Sequence, residues 1–157
     1  MLSGSDPDNA RVIALAPRLY AGAFVGGLLL NAAQPLTFPW PTVALVGGPI
    51  LLLGGGALAV WANRTLRTAG TAADPRRSTT TLVVTGPFGF SRNPLYLART
   101  LLYAGLALAM DAGWPLLTLV PLLALLHYGV IRREEIYLSS KFGAVYQAYR
   151  STVPRWL

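Results

Sequence analysis

The chain has 157 residues, of which 54% are hydrophobic and 12% charged, with a net charge of +7 and a mean hydropathy of +0.49; an ordinary soluble domain carries about 25% charged residues. Two charge-free runs, 19–63 and 112–131, exclude a large water-soluble catalytic domain and point to a bilayer as solvent. With no Cys and a single His, His127, the chain has no disulfide framework, no thiol nucleophile and too few ligands for a protein-built zinc or di-iron site.

Residues 1–9 carry Asp6 and Asp8 and no basic residue, unlike the positive start of a secretory signal, and read as a short disordered tail. The first expected span is 13–33. It ends at a turn, 34–41, in which Pro35, Pro39 and Pro41 remove backbone donors. The second expected span is 42–62. Its Gly47, Gly48, Gly54, Gly55 and Gly56 cost helix propensity in water but allow close helix approach in lipid. A loop, 63–93, follows, with a Thr-, Ala-, Pro- and Arg-rich part at 70–81. Within it, a short apolar β-like run at Leu82 and Val83 is turned by Gly86-Pro87. Asn93 is a candidate N-cap, with Pro94 at the first position of the third span, 94–110. That span contains Arg99, whose head group is expected at the interface. The turn 111–115 leads to the fourth span, 114–131, where Pro121 predicts a kink. Helices are expected over 132–157.

All 13 Lys and Arg residues fall before or at the opening of span one, between spans two and three or at the start of span three, or after span four. Lys and Arg near span ends are retained on the cytoplasmic side. The chain therefore reads as a single all-α integral membrane domain, with four transmembrane helices and both termini cytoplasmic. Its basic charge needs no nucleic-acid partner. Trp40, Trp61 and Trp114 fall near span ends, as interfacial anchors do, and Trp156 lies in the tail.

The polar residues collect at the cytoplasmic end. Arg92 stands beside the start of the third span, where free N–H groups favour an anion. Glu134 and Glu135 follow the fourth span after Arg132 and Arg133. As ordinary surface pairs they would mean little; turned inward, one of them would bind hydroxyls or a cation. If the chain continues as one helix, Glu135, Leu138, Phe142, Tyr146 and Tyr149 share a face. That stripe suits bundle packing or the wall of a flat aromatic ligand. His127 suits either a structural hydrogen bond or a chemical role.

On the Leu82-Val83 to Gly86-Pro87 run, Arg92-Asn93-Pro94-Leu95-Tyr96, and Glu134-Glu135 with Leu138, Phe142-Gly143, Tyr146, Tyr149 and Pro154, the chain resembles the isoprenylcysteine carboxyl methyltransferase family. The likeness is to its short bacterial and archaeal members, which share a superfamily with phospholipid methyltransferases. It implies S-adenosylmethionine as methyl donor, held by a cytoplasmic C-terminal region, and a lipophilic acceptor arriving from a prokaryotic plasma membrane. By position, the resemblance assigns Leu82, Val83, Gly86, Pro87, Arg92, Asn93, Pro94, Tyr96, Glu134, Glu135 and Tyr146 to cofactor binding, and Arg92, Glu135 and Arg150 to catalysis. A phospholipid amine acceptor is the alternative. An NADPH-dependent membrane reductase and a non-catalytic membrane subunit are further readings.

Overall fold

Proline and glycine set most of the helix boundaries. The computed structural model describes residues 16–71 and 81–157, and among them there are helices and no strand. Helix α1 is Ala16–Ala33, α2 is Pro41–Thr68, α3 is Pro94–Ala109, α4 is Gly113–Leu126 and α5 is Arg132–Thr152. The expected tail, the first residues of span one and most of the loop after Thr71 lie outside the described residues.

Helices α2 and α3 both open on proline, Pro41 and Pro94, where the missing N–H removes no intrahelical bond. Helix α2 overruns the expected end at 62 and reaches Thr68. Its 28 residues span about 42 Å at 1.5 Å per residue, so its last turns, with Arg64 and Arg67, extend beyond an apolar layer of about 30 Å. The expected β-like run pairs with no strand. It is irregular and ends in a 3₁₀ turn, Gly86–Gly89, in which Gly86 has φ +59°. The boundary expected at 131 is also absent, because a π-helical stretch, His127–Ile131, joins α4 to α5 without a break. The helix runs through Pro121, and its departure from α geometry comes later, in that π stretch. A second departure falls at Gly143, where φ +53° and ψ −127° bend α5; side chains other than glycine's rarely adopt that backbone.

Two helices, Pro41–Thr68 and the continuous Gly113–Thr152, are long and apolar enough to cross a membrane, and Pro94–Ala109 is a shorter apolar helix. Helix α2 packs along α3, and α1 along α4. The α2–α3 seam depends on missing side chains. A Cβ on Gly48 would stand 2.9 Å from the Ala109 nitrogen, one on Gly55 2.9 Å from the Ala98 carbonyl oxygen, and one on Gly105 2.9 Å from the Gly48 carbonyl oxygen. Gly54 and Gly56 have open space around them instead. Between α1 and α4, Gly27 lies against Pro115 in the same way.

Buried tyrosine hydroxyls of the bundle find partners within it. The Tyr20 hydroxyl lies 3.1 Å from the Tyr96 carbonyl oxygen and 2.8 Å from Thr100 Oγ1, and the Tyr103 hydroxyl is 2.8 Å from Thr118 Oγ1. The two turns without Lys or Arg meet at one end, where the Phe38 N–H donates to Asp111 Oδ1 (2.9 Å) and the Gly113 N–H to the Leu36 carbonyl (2.7 Å). Trp114 Nε1 donates there to the Gln34 carbonyl at 2.7 Å. The opposite end of the bundle is left to the polar residues.

Candidate functional site

At that end the chain encloses a cavity of about 420 Å³, within the range of roughly 300 to 1,000 Å³ usual for small-molecule sites. Leu82 and Val83 from the loop, Arg92 and Asn93 before α3, and Pro94, Tyr96 and Arg99 on α3 line it. Glu134, Glu135 and Leu138 on the first part of α5, and Tyr146 and Tyr149 beyond its bend, complete the polar wall. Segments far apart in sequence meet because the α3–α4 hairpin returns the chain to the end it started from.

Glu135 is the fixed anion of the site. Its Oε1 accepts from Arg92 Nη1 at 2.8 Å and from Arg155 Nε at 2.9 Å, and its Oε2 from Arg155 Nη2 at 2.6 Å. The Glu135 and Arg92 side chains are each 9% exposed. Burial alone would raise the Glu135 pKa, but the Arg155 hydrogen bonds and the charges of Arg92, Arg155 and Arg150 outweigh it and hold the carboxyl below its ordinary value. Arg155 Nη1 lies 3.2 Å from His127 Nε2. A guanidinium has only donors, so this contact is a hydrogen bond with the imidazole nitrogen accepting.

Glu134 stands in the opposite condition. The Tyr96 hydroxyl donates to its Oε2 at 2.8 Å, and no arginine lies within ion-pair distance of it among the described residues. Burial raises its pKa and the neighbouring Glu135 charge adds to that, against smaller lowering by Tyr96 and Arg99, leaving it pushed up to about 7. Two adjacent carboxylates thus differ in character because one meets two guanidinium groups and the other a phenol.

The C-terminal tail clasps this arrangement. The Arg92 N–H donates to the Pro154 carbonyl at 3.0 Å and Asn93 Nδ2 to the Arg155 carbonyl at 3.0 Å. Asn93 does stand at the N-cap, but its side chain makes no cap hydrogen bond; it holds the tail instead. The bend at Gly143 breaks the single helix on which the aromatic stripe was expected. Leu138 and Phe142 nevertheless pack with Tyr146, Tyr149 and Val153 beneath Leu82. The Tyr149 hydroxyl donates to the Phe88 carbonyl at 2.7 Å, tying the loop to α5.

Of the residues assigned by resemblance, Leu82, Val83, Arg92, Asn93, Pro94, Tyr96, Glu134, Glu135 and Tyr146 line the one cavity. Gly86 and Pro87 do not. Gly86 sits against Thr65 and Trp61 of α2, and Pro87 is buried in the 3₁₀ turn. Arg150 is exposed and outside the lining, and acts on Glu135 only through its charge. Sequence reasoning gave no role to Arg155, Thr71, Phe88 or Leu95. A tail of Pro154-Arg155-Trp156 carries a basic and an aromatic residue together, which was the one available signal. Arg92 Nε and Thr71 Oγ1 are buried without a hydrogen-bond partner, although both residues line the cavity. Unsatisfied buried polar atoms in a concavity are what a ligand's polar groups would satisfy.

No curated protein and no solved structure matches the chain. A model of the phospholipid methyltransferase family matches residues 43–145, well over half of the chain. The match runs from α2 through α3 and α4 to just past the bend in α5, and so includes both ends of the hairpin that builds the cavity. It lies in the same superfamily as the isoprenylcysteine carboxyl methyltransferases. On that match the chain belongs to the phospholipid methyltransferase family.

Proposed function

We propose that the protein is an integral-membrane methyltransferase that uses S-adenosylmethionine and methylates a lipophilic acceptor in this cavity. The observation that carries the reading is the joining of the loop, α3 and α5 around one concave site, most of whose lining lies within the family match. When bound, S-adenosylmethionine supplies a methyl carbon activated by positively charged sulfur, so the protein's task is chiefly alignment. The cavity residues suit it: Arg92, with its unpartnered Nε, for a carboxylate, Tyr146 and Tyr149 for an aromatic ring, and the acidic pair for hydroxyls.

The favoured acceptor is a lipid amine. An ammonium must lose a proton before its nitrogen lone pair can form the new N–C bond, and Glu134, held near neutrality, is the group able to take it. A carboxylate acceptor of the isoprenylcysteine type is the second reading, supported by the positive charge that Arg99 brings to the cavity; it needs no base. The fold suits four spans with both termini cytoplasmic. The two turns without basic residues meet at one end, and large apolar side chains such as Leu29, Leu45, Leu53 and Val120 face outward.

Titration of detergent-purified protein with S-adenosylhomocysteine, with NADPH as the control, tests the donor. Micromolar binding of the former alone is expected, and binding of neither by folded protein would return the chain to a non-catalytic reading. Analysis of methylated lipids after expression then tests the acceptor. For an amine, the rate should rise with pH through about 7 as Glu134 ionises, and Glu134→Gln should remove that limb. A pH-independent rate that survives Glu134→Gln would favour the carboxylate acceptor.

A further inference from the structure

We infer that Arg99 is the receptor for an anionic group on the lipophilic acceptor, an inference that rests on the acceptor site proposed for this cavity. Helix α3, Pro94–Ala109, has no other charged residue, and a guanidinium in such a helix is costly unless something neutralises it. Arg99 is half-buried on the cavity wall. Its guanidinium carbon lies 5.6 Å from the centroid of the Tyr96 ring, a cation–π contact that leaves the N–H donors unused.

The other two arginines of the site share one carboxylate. Arg92 and Arg155 both end on Glu135. Among the described residues, Arg99 has no carboxylate within ion-pair distance and no hydrogen-bond acceptor. Glu134 is near enough to feel its charge, but its Oε2 takes the Tyr96 hydroxyl. Among the described residues, the cavity therefore holds a cation with no paired carboxylate, five residues into an apolar helix. Beside it, Ala16, Pro17 and Leu95 give the wall an apolar edge. A molecule with an apolar body and a phosphate or carboxylate head matches that juxtaposition, because the planar fork of a guanidinium binds either anion with two parallel hydrogen bonds.

The test uses the full chain purified in a non-ionic detergent, with dodecyl phosphate, dodecanoate and dodecanol as probes of equal chain length. Wild-type protein should bind at least one of the two anions about tenfold more tightly than the alcohol, the size of one charge-assisted contact. Arg99→Gln should abolish the preference and Arg99→Lys should keep most of it. Preference for the phosphate identifies a phospholipid head group, and preference for the carboxylate a fatty or prenyl acid; either supports the assignment. No preference in the wild type, or one that persists in Arg99→Gln, overturns it. Arg99→Leu, which suits the apolar helix, gives the same readout where Arg99→Gln does not fold. S-adenosylhomocysteine binding by the wild-type protein is measured in parallel, as an independent readout of the methyltransferase reading. Anion preference without S-adenosylhomocysteine binding would sink the methyltransferase reading and leave Arg99 an anion receptor.

Discussion

The α2–α3 seam and the cavity end of the molecule are held together by opposite means. Along the seam, Gly48, Gly55 and Gly105 let two backbones approach until no Cβ would fit, and nothing charged is involved. At the cavity end, Arg92, Glu135 and Arg155 converge with Pro154 and Asn93, and charge and hydrogen bonding do the joining. In lipid there is little hydrophobic gain from pressing one apolar helix on another, so shape carries the seam. Where the chain leaves the apolar layer, buried charges must be cancelled, and an ionic clamp both cancels them and fixes the tail. Each region should accordingly be broken by a different kind of substitution.

The largest effect is expected from Glu135→Gln. It keeps the shape and removes the one negative charge that pairs with both Arg92, whose side chain is 9% exposed, and Arg155. Removing one partner of a buried ion pair typically costs about 3 to 5 kcal/mol. The partial exposure of Arg155, 24% at its side chain, lets one guanidinium turn to water, so a loss of about 3 kcal/mol is expected. Thermal unfolding in detergent measures it, and an unchanged midpoint would mean that the clamp contributes position without stability.

A smaller loss is expected at the seam, where Gly48→Ala sets a methyl group 2.9 Å from the Ala109 nitrogen and 3.1 Å from the Gly105 carbonyl oxygen. Backbone must move to admit it, at about 1 to 3 kcal/mol. Gly54→Ala, one to two turns along the same helix with nothing within 4 Å of its Cβ, should be neutral or slightly stabilising, because alanine favours the helix. Equal unfolding midpoints for the two variants would show that the seam opens without cost.

The same contrast explains how much could be read in advance. The apolar runs and their proline-marked starts anticipated helix over much of α1 to α4, with α2 running on past its expected end to Thr68, since hydropathy and missing N–H groups act locally. The glycines of the second run were legible as packing, although the sequence could not separate Gly48 and Gly55, which touch α3, from Gly54 and Gly56, which do not. The π stretch at His127–Ile131 was not legible. A wide turn rotates everything after it, so angles counted from α4 cannot be carried into α5. The bend at Gly143 had only the glycine itself as a signal. Glu134 and Glu135 could be placed at the site but not told apart, because their difference comes from Tyr96 and Arg155, which lie 38 and 20 residues away in sequence.

Asn93→Ala should give the smallest effect, and it tests whether the tail is part of the clamp or only adjacent to it. Asn93 reads in sequence as a helix cap, and a lost cap costs about 1 kcal/mol through α3 itself. In the structure its side chain makes no cap bond and instead donates to the Arg155 carbonyl at 3.0 Å. An ordinary hydrogen bond of this kind is worth about 0.5 to 1.5 kcal/mol, so the two origins cannot be separated by size. They differ in where the loss appears. If Asn93 acts on the tail, hydrogen exchange should quicken at the Arg92 amide, which donates to the Pro154 carbonyl, and the amides of α3 should keep their protection. Fraying confined to the first turn of α3 would restore Asn93 to the role of a cap and leave the tail held by Arg155 and Trp156.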